Sequence, residues 1–233
     1  MVIRMKEEPV PFPLYHGTSS LFLDSILSRG LGGFDPIGAS RAVECLRAVK
    51  QAAGERLQGH PGWMSLKETL LPMCDQRQTG GGFNYRHGNT YLSPAKITAI
   101  RYALSNPHGS ELLSECIKLL AWFSGVDPSE ARSIERQFPE VASLARRTDG
   151  THILIRLPRV FPSQLRTEQG EAPGPMLVAA TRAIRECGEA AVQQKNFRLV
   201  LAVPLALLDI FRVHPRGGST SNPSYELTPV SVS

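Results

Sequence analysis

Residues 14–31, LYHGTSSLFLDSILSRGL, decide how this chain is read. The run before them, PVPFP at 9–13, reads as an extended arm, because proline fixes φ and removes the amide donor that a helix needs. Leu14 to His16 then end a short strand. A helix follows: Ser19 or Ser20 can cap it, and Leu23, Ile26 and Leu27 fall at i, i+3 and i+4. Gly30 stands where a C-terminal cap belongs. A histidine held between tyrosine and glycine at this junction can be a packed core residue, a metal ligand or a ligand clamp. The remaining chain has to decide among these.

Working outward, GLGGFDPIGAS is loop, and 41–57 reads as an amphipathic helix. PGWMSLKETLLPMCDQ is a second helix of the same insertion, which spans about 41–88 and ends in the loop RQTGGGFNYRHGN. TYLS at 90–93 is a short strand, after which Ser93 and Pro94 open a helix with proline in its first turn. Residues 111–147 are helical, with a break at GVDPSE where Asp127 or Ser129 can cap. THILIRLP at 151–158 alternates Ile153, Ile155 and Leu157 as a strand does. PSQLRTEQGEAPGP reads as loop and 176–194 as helix. FRLVLAVP at 197–204, LDIFRVHP at 208–215 and YELTPVSV complete the strands, with the loop RGGSTSNPS before the last. No repeat or heptad is present. The pattern predicts one α+β domain over 1–233, a mostly antiparallel core carrying inserted helices at about 41–88 and 111–147.

Composition narrows the classes. The chain has 233 residues, 42% hydrophobic and 20% charged, the balance of an ordinary globule. No apolar run approaches ~18 residues, so no transmembrane helix and no membrane partner are expected. The opening residues lack a signal-peptide core, which predicts a cytoplasmic protein or one delivered into a target cell without a cleaved signal. Cys45, Cys74, Cys116 and Cys187 are scattered without a C-x-x-C, against a zinc cage or disulfide framework and in keeping with a reducing compartment. A net charge of +5 favours an anionic partner such as nucleic acid, a phosphate-bearing cofactor or an acidic protein, although a solvated basic surface has the same charge. His60, His87, His108, His152 and His214 show no ligand spacing, and GGGF at 80–83 lacks the Gly-Lys-Ser/Thr of a phosphate loop.

The helix over 94–104 carries more information. At 100° per residue, Ile97, Ile100, Arg101 and Leu104 fall on one side, and Ala95, Thr98, Ala99 and Tyr102 on the other. Small residues leading to one tyrosine form a shelf on which a flat aromatic ligand could stack. Tyr91, eleven residues before Tyr102, could supply the opposite wall. Two half-buried core tyrosines would show the same pattern.

Taken together, YHGTSSLFLDSILSRGL and NTYLSPAKITAIRYA resemble the first two signatures of the ADP-ribosyltransferase superfamily, in its histidine–tyrosine–glutamate branch. That branch includes the poly(ADP-ribose) polymerases and diphtheria-toxin-like bacterial toxins. The resemblance implies a split antiparallel β-sheet core and NAD as co-substrate, with no metal. It assigns His16 to a ribose hydroxyl, the Gly17 backbone to the nicotinamide amide, and the Thr18 hydroxyl to a nearby bond. Tyr91 and Tyr102 would sandwich the nicotinamide ring. Breaking the nicotinamide–ribose bond develops oxocarbenium character, as in glycoside hydrolysis.

A glutamate at the start of a late strand is the family's third signature. Glu226 in NPSYELTPV has the right residue type behind the right kind of loop. By topology Asn196, before FRLVLAVP, competes for the position, and Glu171 in EQGE mimics the arginine-modifying branch. The function so implied is mono-ADP-ribosyl transfer to a macromolecular acceptor, nucleic acid or protein, by a toxin-like or effector-like enzyme with a neutralising antitoxin or immunity protein as a partner. The alternatives are a catalytically inactive binding module of this fold and an RNA 2′-phosphotransferase. The last would need basic residues at the second and third signatures, and Tyr91 occupies the second.

Overall fold

The structure is a computed structural model that describes residues 7–76, 85–219 and 222–231. Its strands are β1 (Leu14–Ser19), β2 (Thr90–Leu92), β3 (His152–Leu157), β4 (Leu165–Thr167), β5 (Phe197–Leu199), β6 (Asp209–Ser219) and β7 (Asn222–Pro229). Its helices are α1 (Leu23–Arg29), α2 (Pro36–Ser40), α3 (Ala42–Arg56), α4 (Pro61–Asp75), α5 (Lys96–Ser105), α6 (Glu111–Val126), α7 (Pro128–Gln137), α8 (Pro139–Ala145) and α9 (Gly174–Cys187). The class is α+β, with two antiparallel sheets. The chain forms two compact units. One gathers all the strands with α1, α5 and α9; the other is built from 35–88 and 108–150 and is helical.

In the sheet unit, Ile153, Ile155 and Leu157 alternate on β3 and β3 is the centre of a ladder β1-β3-β6-β7. Leu14 to Ser19 pair with Leu157 to His152 on one side, and His152 to Arg156 pair with Val213 to Asp209 on the other. The second sheet has the order β2-β5-β4. Among the described residues a single bridge joins the two sheets: Tyr15 and Ser93 exchange both backbone hydrogen bonds at 2.8 Å. Gly30 at φ 78° ends α1, and Gly188 at φ 76° ends α9, values that favour glycine because it has no Cβ.

The helical unit closes around apolar faces. Cys45, Leu46 and Val49 of α3, Leu70 and Met73 of α4, and Leu112, Leu113 and Phe123 of α6 are fully buried. Asp35, Ser110 and Asp127 each accept a backbone N–H at a helix start, from Ile37, Leu113 and Glu130. Arg47 donates to the carbonyl of Cys74 near the end of α4, satisfying an oxygen that lacks a helical partner. Cys45, Cys74 and Cys116, far apart in sequence, meet in this core; burial and the Cys45 hydrogen bond push the Cys116 thiol well up. Among the described residues no helix is long and apolar enough to cross a membrane.

Several local expectations change. A strand, β4, lies inside the stretch expected to be loop, because Leu165 and Thr167 find buried places against β5. β5 ends at Leu199 rather than at 204, and Val203 turns to bridge with Leu31 instead. Ser93 Oγ accepts from Ala95 N at 3.2 Å, and α5 starts later, at Lys96, with Ala95 at its N-cap. The two helical stretches, expected as separate additions, share one core. The glycine-rich loop at 77–84, including GGGF, lies outside the described residues.

Candidate functional site

The chemistry of interest gathers where the two sheets part. Tyr15 directs its N–H and C=O toward Ser93 of the β2 side. Backbone groups two residues apart on a strand point the same way, so Gly17 directs its own N–H and C=O to that side as well. A continued ladder would pair Gly17 with Tyr91. It stops instead, since Tyr15–Ser93 is the one β1–β2 bridge among the described residues. The carbonyl of Tyr91 is taken by His16, whose Nδ1 lies 2.9 Å from it. A carbonyl oxygen only accepts, so Nδ1 carries the hydrogen and donates, and Nε2 of the neutral ring is an acceptor. Burial holds the His16 imidazole below its ordinary range, against the opposing effect of the Tyr91 bond. The neutral form is therefore the one present at pH 7. Among the described residues no backbone bond from β2 reaches Gly17.

Gly17 is glycine for a packing reason. A Cβ there would sit 1.9 Å from the Ala99 carbonyl oxygen and 3.0 Å from Ala103 N of α5. The group that a side chain at Gly17 would first strike is the helix. Tyr15, Ala99, Ile100, Leu154 and Val213 form the core beneath this contact. Tyr102, next to Ala103, remains 37% exposed. Tyr91 shares a sheet face with Ser93 and hence with Tyr15 and Gly17. Tyr91 thus lies on the strand beside Gly17, and Tyr102 on the helix that packs against Gly17. Thr18 is buried, opposite Ile153, on the same strand face as His16. His152, by contrast, has a structural role, its Nδ1 2.9 Å from the Ala103 carbonyl at the end of α5.

The small sheet has two unlike faces. Leu92, Phe197 and Thr167 share one row and Leu199 and Leu165 another, all buried. The opposite face carries the row Tyr91–Arg198–Arg166. One residue beyond the paired strands, the Asn196 side chain hydrogen-bonds the carboxyl of Glu168, and burial pushes that carboxyl above its ordinary range while Asn196 opposes the rise. Sequence reasoning missed Glu168 because EQGE reads as a loop. The alternating Leu165 and Thr167 just before it were the available signal. Glu171 closes the turn after β4, its carbonyl accepting from Thr167 N at 3.0 Å.

Glu226 lies elsewhere. It is on β7 opposite His214, exposed, in an ion pair with Arg216 that holds its carboxyl below the usual range. Two strands separate β7 from β1, a distance of roughly 14 Å at normal strand spacing. The structure brings His16 to Tyr91 and packs Gly17 against α5, the helix that carries Tyr102, and it places Glu226 on a strand apart from them. No protein-family model matches this chain, and no match to it is found among the curated proteins or the solved structures.

Proposed function

We propose that this chain is an NAD-dependent mono-ADP-ribosyltransferase of the split-sheet fold, acting on a macromolecular acceptor. The observation that carries the reading is the interrupted β1–β2 ladder, in which the Gly17 peptide edge receives no backbone bond from β2 among the described residues while His16 takes the Tyr91 carbonyl. One donor and one acceptor on a rigid strand complement a carboxamide, which presents one of each. Tyr91 and Tyr102 supply aromatic faces for the ring that bears it. His16, pinned through Nδ1, offers Nε2 to a ribose hydroxyl.

In the reaction the C1′–nitrogen bond breaks and its electron pair neutralises the nicotinamide. The acceptor nucleophile bonds C1′ and loses its proton. The chain holds both rings so that C1′ is exposed to attack. In this reading Asn196 occupies the third position and Glu168, bonded to it, is the carboxylate nearest the developing positive charge.

The test is release of nicotinamide from labelled NAD with cell lysate, followed by nuclease or protease to identify the labelled fraction. Wild type should release nicotinamide, and His16→Ala should lose that activity while keeping its fold. No release by the wild-type protein with any fraction would overturn the proposal. A second reading, an inactive binding module of the same fold, draws on the uncharged Asn196 at the third position. Under it, NAD is bound but never consumed.

A further inference from the structure

We propose that Arg198 and Arg166, on the polar face of the small sheet, form a binding site for a phosphate group. The register Tyr91–Arg198–Arg166 places the two arginines directly opposite each other on adjacent strands and on one face. Like charges in that position repel, and a pair of this kind persists where a counter-charge is supplied. Among the described residues neither arginine is within ion-pair distance of a carboxylate. Arg166 Nη1 donates to the carbonyl of Leu165, its own neighbour, at 2.7 Å. Glu168, the carboxyl closest in sequence, is engaged by Asn196.

A second observation points the same way. Nε of Arg198 is buried and has no hydrogen-bond partner among the described residues. A buried donor left unpaired is unfavourable, and an incoming oxyanion that the guanidinium fork can grip removes the deficit. The Gly170 turn lies beside this fork, where a Cβ would make ordinary contact with Arg198 Nη2 at 3.7 Å. Arginine suits the task because its planar donors match phosphate geometry two at a time. The chemistry recognised is the phosphate oxyanion. It is either part of the dinucleotide donor or carried by the acceptor. The proposal goes beyond the transferase reading, since it requires only the two arginines and their surroundings.

Equilibrium dialysis of the full chain against labelled inorganic pyrophosphate tests it. Saturable binding is expected, weakened at least tenfold in Arg198→Gln and several-fold in Arg166→Gln. Arg185→Gln, an exposed arginine of α9, should bind as wild type. Arg166→Gln keeps the test decisive should Arg198→Gln fail to fold. Addition of NAD separates the sources: displacement of pyrophosphate assigns the site to the donor, and undisturbed binding assigns it to the acceptor. Wild type that binds no pyrophosphate, or Arg198→Gln and Arg166→Gln variants that bind it fully, overturns the proposal. Nicotinamide release is measured separately, so a failed transferase reading leaves this result intact.

Discussion

The sheet unit and the helical unit treat their polar groups in opposite ways. In the helical unit the helix ends are capped by Asp35, Ser110 and Asp127, and three thiols are sealed in an apolar core. The sheet unit interrupts a ladder that could have continued. It assigns the carbonyl of Tyr91 to a side chain and leaves a glycine edge and two arginines facing outward from their strands. Unsatisfied backbone is costly, so a fold keeps it where something else is to be bound. The comparison sets an interrupted, polar-edged sheet unit against a capped and sealed helical one.

The largest effect should come from the closest contact. Gly17→Ala forces a Cβ against the backbone of Ala99, so the helix or the strand must shift. A loss of about 3 kcal/mol is expected, the upper end of overpacking costs. Denaturant titration measures it, and hydrogen exchange should show protection lost first in β1 and α5. A Gly17→Ala variant as stable as wild type would mean that the Ala99 contact is not tight.

A comparable effect is expected on the helical side from acid. Burial pushes His87 down to about 4. The unfolded chain, with an ordinary imidazole near 6.5, binds more protons than the folded one between those values. Stability is therefore full above pH 6.5, falls as pH drops toward 4, and is constant below. The loss at pH 4 is about 3 kcal/mol at ~1.4 kcal/mol per unit. His87→Gln should flatten that part of the pH–stability curve, as read by thermal melts at pH 7 and pH 4.

Two carboxylates sharpen the contrast within the sheet unit. Glu168→Gln should slow nicotinamide release at least tenfold with NAD affinity little changed, because a group facing developing charge acts in the transition state. Glu226→Gln removes only an exposed ion pair with Arg216 and should leave turnover as it was. The reverse outcome would return Glu226 to the third position.

The smallest change is expected from Tyr102→Ala. Tyr102 is over a third exposed, so folding stability should stay within ~0.5 kcal/mol. NAD affinity should fall several-fold, the effect of losing one stacked ring worth ~0.5–1.5 kcal/mol. Titration calorimetry with NAD separates the two, and unchanged affinity would remove Tyr102 from the slot.

Local chemistry was legible in advance. Alternation marked Ile153, Ile155 and Leu157, the break before α7 carried its own cap in Asp127, and Gly30 stood at the end of α1. His16, Gly17, Tyr91 and Tyr102 were singled out from short stretches, and what the structure adds is the bond between His16 and the Tyr91 carbonyl and the packing of Gly17 on α5. β4 was not, since three residues have no period to detect and become a strand only when β5 lies beside them. The same limit hid Glu168: its partner Asn196 is 28 residues further on, and no local rule joins them.

Glu226 shows the converse. Residue type and a preceding loop commended it, and strand order places it on an edge strand with two strands between it and β1. The sequence by itself determined the longer helices, the central strand β3 and the glycine that ends α1. Only the tertiary structure decided that the β1–β2 ladder breaks at His16, that two helical stretches share one core, and that Arg198 stands opposite Arg166. Those outcomes depend on register between distant strands and on which apolar faces meet, and neither is encoded within any single window of the chain.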